Sequence, residues 1–324
     1  MRTVVYEKYG PPEVLELREV PSPVPAEGEV LVQVRAAALN PKDSLIRKGK
    51  FRYLAPDRFP RGLGYDVSGV VGAIGKGVTR FSVGDEVFGM KQAWAGGTVA
   101  EEVCLLEGEL AKKPAKMTFE EAAATPLAAL TALQALRDEG RLQPGQRVLI
   151  NGGSGGVGVF AIQVARALGA KVTTLSSARN FELCRSLGAE ETWDYATRKD
   201  LGSGWDVFFD VFGNRSFGAV RSALAPGGTY VTTVPSVQNA ALHVVTRLFG
   251  RRARLVVVKS KAADLDQLAK WIDEGLIKAV IDRVVPLNEV AAGQAHVETK
   301  RARGKVVVST APHPDPLPPG GRGR

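Results

Sequence analysis

The sequence predicts an α/β fold, a doubly wound parallel sheet joined to a β-rich domain. Three observations predict it. The first hundred residues break into short β-branched runs between Gly, Pro and Asp. From about residue 146 apolar runs alternate with helical segments, as buried parallel strands and their crossovers do. A glycine string stands at the first strand-to-helix junction of that alternation.

In order, Val30-Leu-Val-Gln-Val-Arg-Ala reads as a strand after the turn-rich Pro21-Ser-Pro-Val-Pro. Val67-Ser-Gly-Val-Val-Gly-Ala-Ile and Glu86-Val-Phe-Gly follow as strands of the same β-rich region. Thr118, with Glu121 three residues later, is a helix-start signal, and the Ala/Leu-rich stretch beyond it predicts a helix to about Asp138. Arg147-Val-Leu-Ile-Asn predicts a strand, Val157 to Leu168 a helix, and Lys171-Val-Thr-Thr-Leu-Ser the next strand, with a helix through Leu183 and Leu187. Strands are expected at Trp205-Asp-Val-Phe-Phe-Asp, Gly228 to Val234 and Arg254 to Val258, a helix at Leu265 to Glu274, and a last strand at Lys305-Val-Val-Val-Ser, packed back onto the first domain. The expected division is 1–121 with 261–310 as the β-rich domain and 122–260 as the parallel-sheet domain. The tail, 311–324, has five prolines and three glycines and is expected to be disordered.

The 324 residues, 44% hydrophobic and 24% charged, are those of a globular chain of about two domains. No run of about 18 apolar residues predicts a membrane span. Met1 to Tyr6 enters a strand-like segment directly, without the apolar core of a signal peptide, so a cytoplasmic location is expected. Two distant cysteines, Cys104 and Cys184, exclude a four-cysteine zinc lobe and predict no disulfide framework. The net charge of +9 gathers at Arg47 to Arg61, Arg247 to Lys261 and Lys300 to Lys305. An anionic small molecule fits these clusters better than nucleic acid, because no zinc-finger spacing or RNA-binding aromatic signature accompanies them.

The strongest motif is Asn151-Gly152-Gly153-Ser154-Gly155-Gly156-Val157-Gly158, which satisfies G-x-G-x-x-G at Gly153, Gly155 and Gly158. A dinucleotide needs a tight turn there, close backbone approach to its pyrophosphate and a helix N-terminus facing the anion. The next strand ends in Ser176-Ser177-Ala178-Arg179-Asn180, without a carboxylate to accept from a ribose hydroxyl. A hydroxyl and a guanidinium suit a 2′-phosphate, so NADPH is the expected cofactor rather than NADH.

The glycine motif, Ser177 to Glu190 and Asp194-Tyr195 resemble the quinone-oxidoreductase branch of the medium-chain dehydrogenase/reductase superfamily, which includes ζ-crystallin-type quinone reductases and the reticulon-interacting mitochondrial reductases. Ala38-Leu-Asn-Pro-Lys-Asp, Gly64-Tyr-Asp-Val-Ser-Gly-Val-Val, Val83-Gly-Asp-Glu-Val-Phe-Gly and Ala124-Thr-Pro-Leu-Ala-Ala-Leu-Thr-Ala match as well, over roughly residues 1 to 310. The resemblance implies a Rossmann sheet with a GroES-like catalytic domain. It implies that Ser154, Gly155, Gly156 and Val157 hold the pyrophosphate, and that Ser177, Arg179 and Tyr195 surround the 2′-phosphate. Thr131 and the loop after Val234 would lie near the nicotinamide. Arg301 to Lys305, with Ala302 and Arg303 as the candidate contacts, would approach the cofactor from the catalytic domain. Asn40 would stand near the nicotinamide ribose and the substrate. A homodimer is implied, paired through the strand at Arg254 to Val258.

Two departures from related groups define the chemistry. Zinc alcohol dehydrogenases carry a cysteine near position 40 and a His-Glu pair after the glycine at 64; this chain has Asn40 and Tyr65-Asp66, and none of His243, His296 and His313 falls there. The side chains that would build a catalytic zinc site are missing. Several relatives place a tyrosine two residues after the glycine matching Gly49, where this chain has Phe51, with Tyr53 beyond. Tyr65 is then the candidate donor, with water as the alternative. The expected activity is transfer of hydride from NADPH to a quinone or an α,β-unsaturated carbonyl, either an enone or an enoyl-CoA, with Asn40 orienting the substrate. Arg47, Lys48, Lys50 and Arg52, with the Arg247 to Arg254 cluster, could attract the anionic phosphates of an acyl-CoA, which keeps an enoyl-CoA among the candidate substrates despite Phe51. The other reading is an NADPH-binding protein without activity, structural or RNA-binding, as some relatives of this branch are.

Overall fold

A computed structural model describes residues 1–53, 58–93, 96–246 and 250–310. The tail at 311–324 and Arg247 lie outside the described residues. Three sheets form. The smallest joins β1 (Arg2–Tyr6), β2 (Glu16–Glu19) and β4 (Arg61–Gly62) in the order β2-β1-β4. The seven-stranded sheet is built from β3 (Glu29–Leu39), β5 (Asp66–Ile74), β6 (Glu86–Met90), β7 (Glu102–Leu106), β8 (Leu110–Lys112), β15 (Ile281–Pro286) and β16 (Lys305–Ser309). Its order is β15-β16-β3-β5-β6-β8, with β7 also paired to β3. The last strand returns to the first region as expected: β16 runs antiparallel to β3, Val307 opposite Ala38.

The six-stranded sheet comprises β9 (Arg147–Asn151), β10 (Lys171–Ser176), β11 (Glu191–Asp194), β12 (Trp205–Asp210), β13 (Leu224–Thr232) and β14 (Arg252–Leu255), all parallel, in the order β11-β10-β9-β12-β13-β14. Counted along the chain this is 3-2-1-4-5-6, the doubly wound order whose direction reverses between β9 and β12 and opens a crevice at their carboxyl ends. Val148, Leu149 and Ile150 of β9 and Val207, Phe208 and Phe209 of β12 are buried on both faces, which accounts for their unbroken apolar runs.

The helices are α1 (Pro41–Arg47), α2 (Phe119–Ala123), α3 (Pro126–Leu133), α4 (Gly156–Ala167), α5 (Phe181–Ser186), α6 (Phe217–Val220), α7 (Val237–Val245), α8 (Ala262–Asp273) and α9 (Val290–Glu298). None is long and apolar enough to cross a membrane. The capping box at Thr118 is present: its hydroxyl accepts from Glu121 N (3.2 Å), and the Glu121 carboxylate accepts from Thr118 N (3.0 Å). The single helix expected beyond it is instead divided. Pro126 has no N–H to continue α2, so a new helix starts there, and its last turns widen into a π-helix at Gln134–Glu139. Helix α3 is wholly buried, and one apolar core around it takes in Phe88 and Met90 of β6, Val148 and Ile150 of β9, and Leu265 and Leu268 of α8.

Two strand limits differ from expectation. The strand expected at Gly228 to Val234 begins at Leu224 and stops at Thr232, whose hydroxyl accepts from Val234 N (3.2 Å) and turns the chain. Its neighbour β14 ends with it at Leu255 rather than at Val258, because no partner strand continues beyond Thr232.

Candidate active site

The glycine loop leaves the carboxyl end of β9 at the reversal point of the sheet. Gly152 turns it with φ +96°, a conformation closed to most side chains. Space fixes the next glycines. A Cβ on Gly158 would lie 2.1 Å from Gly152 O, and one on Gly153 would lie 2.8 Å from Thr174 Cβ, so helix and strand approach as closely as backbone allows. A Cβ on Gly155, by contrast, would meet only Gly152 O, at 3.6 Å. The outer face of the loop is open, next to the first-turn N–H groups of α4, which have no partner within the helix.

The expected cofactor residues converge on this loop from three directions. Ser154, Gly155, Gly156 and the half-buried Val157 form it. Ser177 and Arg179 stand at the carboxyl end of β10, with Tyr195 beside them at the end of β11, where Tyr195 N donates to Ser176 O (3.2 Å). Arg179 is exposed and has no ionic or hydrogen-bonded partner among the described residues. From the other sheet comes the stretch before β16: Gly304 N donates to Ser154 O (3.0 Å), and Gly304 bridges to Gly155. Gly304 manages this with φ +84° while lying against Val280 O, where a Cβ would come within 2.1 Å. Arg303 lies exposed beside the loop, its N–H held by Asp282 (3.1 Å), and Ala302 is half-buried next to it. A pyrophosphate fits the open glycine face, and a 2′-phosphate fits the unpartnered Arg179 with Ser177 and Tyr195.

Asn180, which sequence reasoning passed over, joins two of these parts. Its Nδ2 donates to Ser154 Oγ (2.8 Å), tying the β10 end to the glycine loop. Asn151 and Asp210 were also missed. The buried Asp210 carboxylate accepts from Asn151 Nδ2 (2.7 Å), Gly213 N (2.9 Å), Arg215 N (3.1 Å) and Tyr230 Oη (3.3 Å), fixing the loop after β12 on the far side of the crevice. The available signal was an acid closing an apolar run at the carboxyl end of a central strand.

Asn40 lies in a buried polar knot. It precedes α1, and its backbone N–H donates to Asp43 (2.6 Å) in a capping box. Its side-chain Nδ2 donates to Asp66 (2.9 Å), and its Oδ1 accepts from the Lys305 ammonium. Lys305 also pairs with Asp66 at 3.0 Å, and the other Asp66 oxygen accepts from Leu127 N (2.6 Å) in the first turn of α3. Asp66 is 0% exposed, Asn40 2% and Lys305 4%. Asn40, Asp66 and Lys305 are each bonded, as buried charge requires. The Lys305 stem passes over Gly156, where a Cβ would meet its Cδ at 3.1 Å. The knot therefore links the glycine loop, β5 and α3 through one side chain. An acid opening a β-branched strand and a lysine heading the Val306-Val-Val run were the signals; isolated charges in apolar runs are seldom buried without partners.

Tyr65 is 2% exposed, and burial, aided by the nearby Asp43 carboxylate, pushes its phenol up from the usual range. The Lys42 ammonium lies 3.7 Å from its ring centroid. Burial likewise pushes the Asp43 carboxyl up to about 7, against the Asn40 N–H and the Lys305 charge, which favour its ionised form. Thr131 lies one turn beyond Leu127 in α3, 5% exposed, its hydroxyl donating to Leu127 O (2.6 Å).

The basic residues expected to attract an acyl-CoA are largely engaged elsewhere. Arg47 is fully buried, bonded to Gly10 O and Glu298, and Lys48 pairs with Glu298 (2.6 Å). Arg251 donates to Leu224 O (2.9 Å), Arg252 to Gly227 O (2.9 Å) and Arg254 to His243 O (3.1 Å). Lys50 and Arg52 remain at the surface, with Arg52 bonded to Tyr53 Oη (2.6 Å).

Comparison with known proteins agrees with this architecture. An alcohol dehydrogenase GroES-like domain matches residues 26–115, and a zinc-binding dehydrogenase domain matches residues 187–308. Among the described residues no group of three or more His, Cys, Asp or Glu side chains is placed to hold a metal ion. The chain is 33% identical to a chloroplast envelope quinone oxidoreductase homolog of Arabidopsis thaliana over 322 residues, covering 95% of this chain and 98% of the relative. It is 35% identical to the chloroplastic NADPH-dependent alkenal/one oxidoreductase of the same plant, over 96% of this chain and 80% of the relative. The structure of the quinone oxidoreductase from Coxiella burnetii superposes with a TM-score of 0.87 at 32% identity, over 95% of this chain and 99% of that one. This chain belongs to the quinone-oxidoreductase branch of the medium-chain dehydrogenase/reductase superfamily.

Proposed function

We propose that this protein is an NADPH-dependent reductase of quinones or α,β-unsaturated carbonyl compounds. The observation that carries the reading is the open glycine loop at the sheet's reversal point, faced by Arg179 at the 2′-phosphate end and by Lys305 and Asn40 at the other. The names of the two relatives, one a quinone oxidoreductase homolog and one an alkenal/one oxidoreductase, support the same class.

Bound NADPH supplies the hydride. Ser154, Gly155, Gly156 and Val157 would hold its pyrophosphate, Ser177, Arg179 and Tyr195 its 2′-phosphate, and Thr131 would lie near its nicotinamide. Ala302 and Arg303 would close over it from the catalytic side. The Lys305 ammonium, fixed by Asp66 and Asn40, sets a positive charge beside the place where substrate oxygen becomes anionic, a preorganised form of electrostatic stabilisation. Asn40 orients the substrate. With Arg47, Lys48 and Arg251 to Arg254 engaged, an uncharged quinone or enone is preferred to an acyl-CoA. We assign residues 1–121 and 261–310 to the catalytic domain and 122–260 to the cofactor domain.

We place the protein in the cytoplasm, where its two free cysteines, Cys104 and the buried Cys184, stay reduced. We assign it no nucleic-acid partner. We also propose a homodimer, but not one made by pairing β14. The outward N–H groups of that strand are already taken: Ala253 N donates to Thr246 Oγ1 (2.8 Å) and Leu255 N to His243 Nδ1 (3.1 Å). The contact surface is instead the exposed apolar side of α7 with Val257.

The test is NADPH oxidation against a benzoquinone, a short enone and an enoyl-CoA, with NADH run alongside. Turnover of the first two with NADPH, and a loss of NADPH preference on the order of tenfold or more in Arg179→Ala, is expected. NADPH binding without turnover of any acceptor would overturn the reductase reading.

A further inference from the structure

One charged group at the mouth of the polar knot is used neither by the fold nor by the cofactor site. Lys42 is the second residue of α1, half-buried, with its ammonium 3.7 Å from the centre of the Tyr65 ring. Among the described residues it has no hydrogen-bond acceptor and no ion-pair partner. The charged groups that act on it are Asp43 on its own helix and Asp66 opening β5, and Lys305 opening β16 acts in turn on Asp43. Asp66 and Lys305 are bonded to each other and to Asn40, and Asp43 accepts from Asn40 N. None of them lies within ion-pair distance of Lys42, though Asp43 and Asp66 favour its charged form. The ammonium thus rests on an aromatic floor, with its N–H bonds available, beside the group that orients substrate.

The alternative donors are worse placed. Phe51 has no hydroxyl, Tyr53 is 86% exposed, and Asp43 is sealed at 2%. Tyr65 is sealed as well, and burial holds its phenol reluctant to release a proton. The same burial lowers the pKa of Lys42, with Asp43 and Asp66 opposing the shift, and a lowered ammonium is the better acid near neutral pH.

We propose that Lys42 is the proton donor of the reduction and that the Tyr65 ring is the seat that holds it. The assignment rests on the reductase reading above. In an enone the β-carbon gains the hydride and its electron pair, the C=C π pair shifts to join the α-carbon to the carbonyl carbon, and the carbonyl π pair moves to the oxygen. The α-carbon of that enolate then takes a proton as the Lys42 Nζ–H bond breaks. The neutral amine left behind is reprotonated by water, so the saturated ketone has gained one hydride from the dinucleotide and one proton from solvent.

The test uses Lys42→Gln and Lys42→Arg in the full chain. With an enone, Lys42→Gln is expected to lower kcat about 100-fold, the scale of a lost general acid, and to remove the alkaline limb of its pH profile. NADPH affinity, read by fluorescence without any acceptor, should stay within about twofold. Lys42→Arg keeps the charge but cannot donate, since its guanidinium stays protonated, so it should be as slow as Lys42→Gln. A second measurement needs no turnover: in wild-type protein with 13C-methylated lysines, the resonance missing from Lys42→Gln should titrate below the other lysines. Wild-type rate in Lys42→Arg, an unchanged limb in Lys42→Gln, or an ordinary titration would each overturn this assignment alone. A wild-type protein that binds NADPH and reduces nothing would overturn the reductase reading and this assignment with it.

Discussion

Asp43 shows how a single side chain records the cost of building this site. It caps the approach to α1, accepting from Asn40 N at 2.6 Å, yet its Oδ1 is buried with no donor. Burial raises its carboxyl from 3.8 to about 7. The folded chain therefore keeps a proton that the unfolded chain releases near pH 4. Where the native state binds more protons, stability falls as pH rises, so the contribution of Asp43 declines between about pH 4 and 7 and is level above. Asp43→Asn keeps an acceptor for Asn40 N and cannot ionise. Relative to this variant, wild type should lose stability between pH 5 and pH 8, on the order of 1–3 kcal/mol in urea unfolding. An identical pH dependence in both proteins would mean that Asp43 is already ionised in the fold.

Between elements, the decisive link is the Lys305–Asp66 pair, which ties β16 to β5 and, through Leu127 N, to α3. Removing one partner leaves a buried charge, at a cost of about 3–5 kcal/mol, whereas replacing both by apolar groups is often neutral. Lys305→Met should therefore destabilise the fold strongly, and Lys305→Met with Asp66→Leu should recover most of that loss in urea unfolding. NADPH affinity should recover less, since the charge beside the glycine loop is gone. A double variant as unstable as the single one would show that Asp66 is held by its helix and Asn40 bonds rather than by Lys305. Most elements were legible in the sequence because their signals are local. Periodicity marked β9, β10 and β12, the capping box marked α2, and the glycine string marked the loop. The division of the long helix at Pro126 carries a local signal too, a residue without an N–H inside an apolar run, but the Ala/Leu content alone predicts one continuous helix. The knot was not legible, because Asn40, Asp66 and Lys305 are as much as 265 positions apart and meet only when β16 returns to β3.

Across the whole molecule, the outer edge of the parallel sheet, at β14 and α7, carries the remaining question. Helix α7 buries none of its residues, and Val237 (89%), Val244 (61%) and Val245 (59%) are exposed, as is Val257 (68%), two residues past β14. The same helix covers the sheet edge: Thr246 and His243 accept the N–H groups of Ala253 and Leu255 that another strand would need. Sheets protect their edges in this way against strand addition. An edge closed by a helix whose outer side is apolar fits helix-to-helix contact between copies, because contiguous exposed apolar surface marks an interface. The chain should therefore sediment at twice its mass at micromolar concentration, and Val244→Asp with Val257→Asp should shift it to the monomer. NADPH affinity should not change, since these residues are remote from the glycine loop in the sheet order. If the double variant stays dimeric while a change that disrupts β14 dissociates it, the α7 caps give way on association and the strand edge is the true contact.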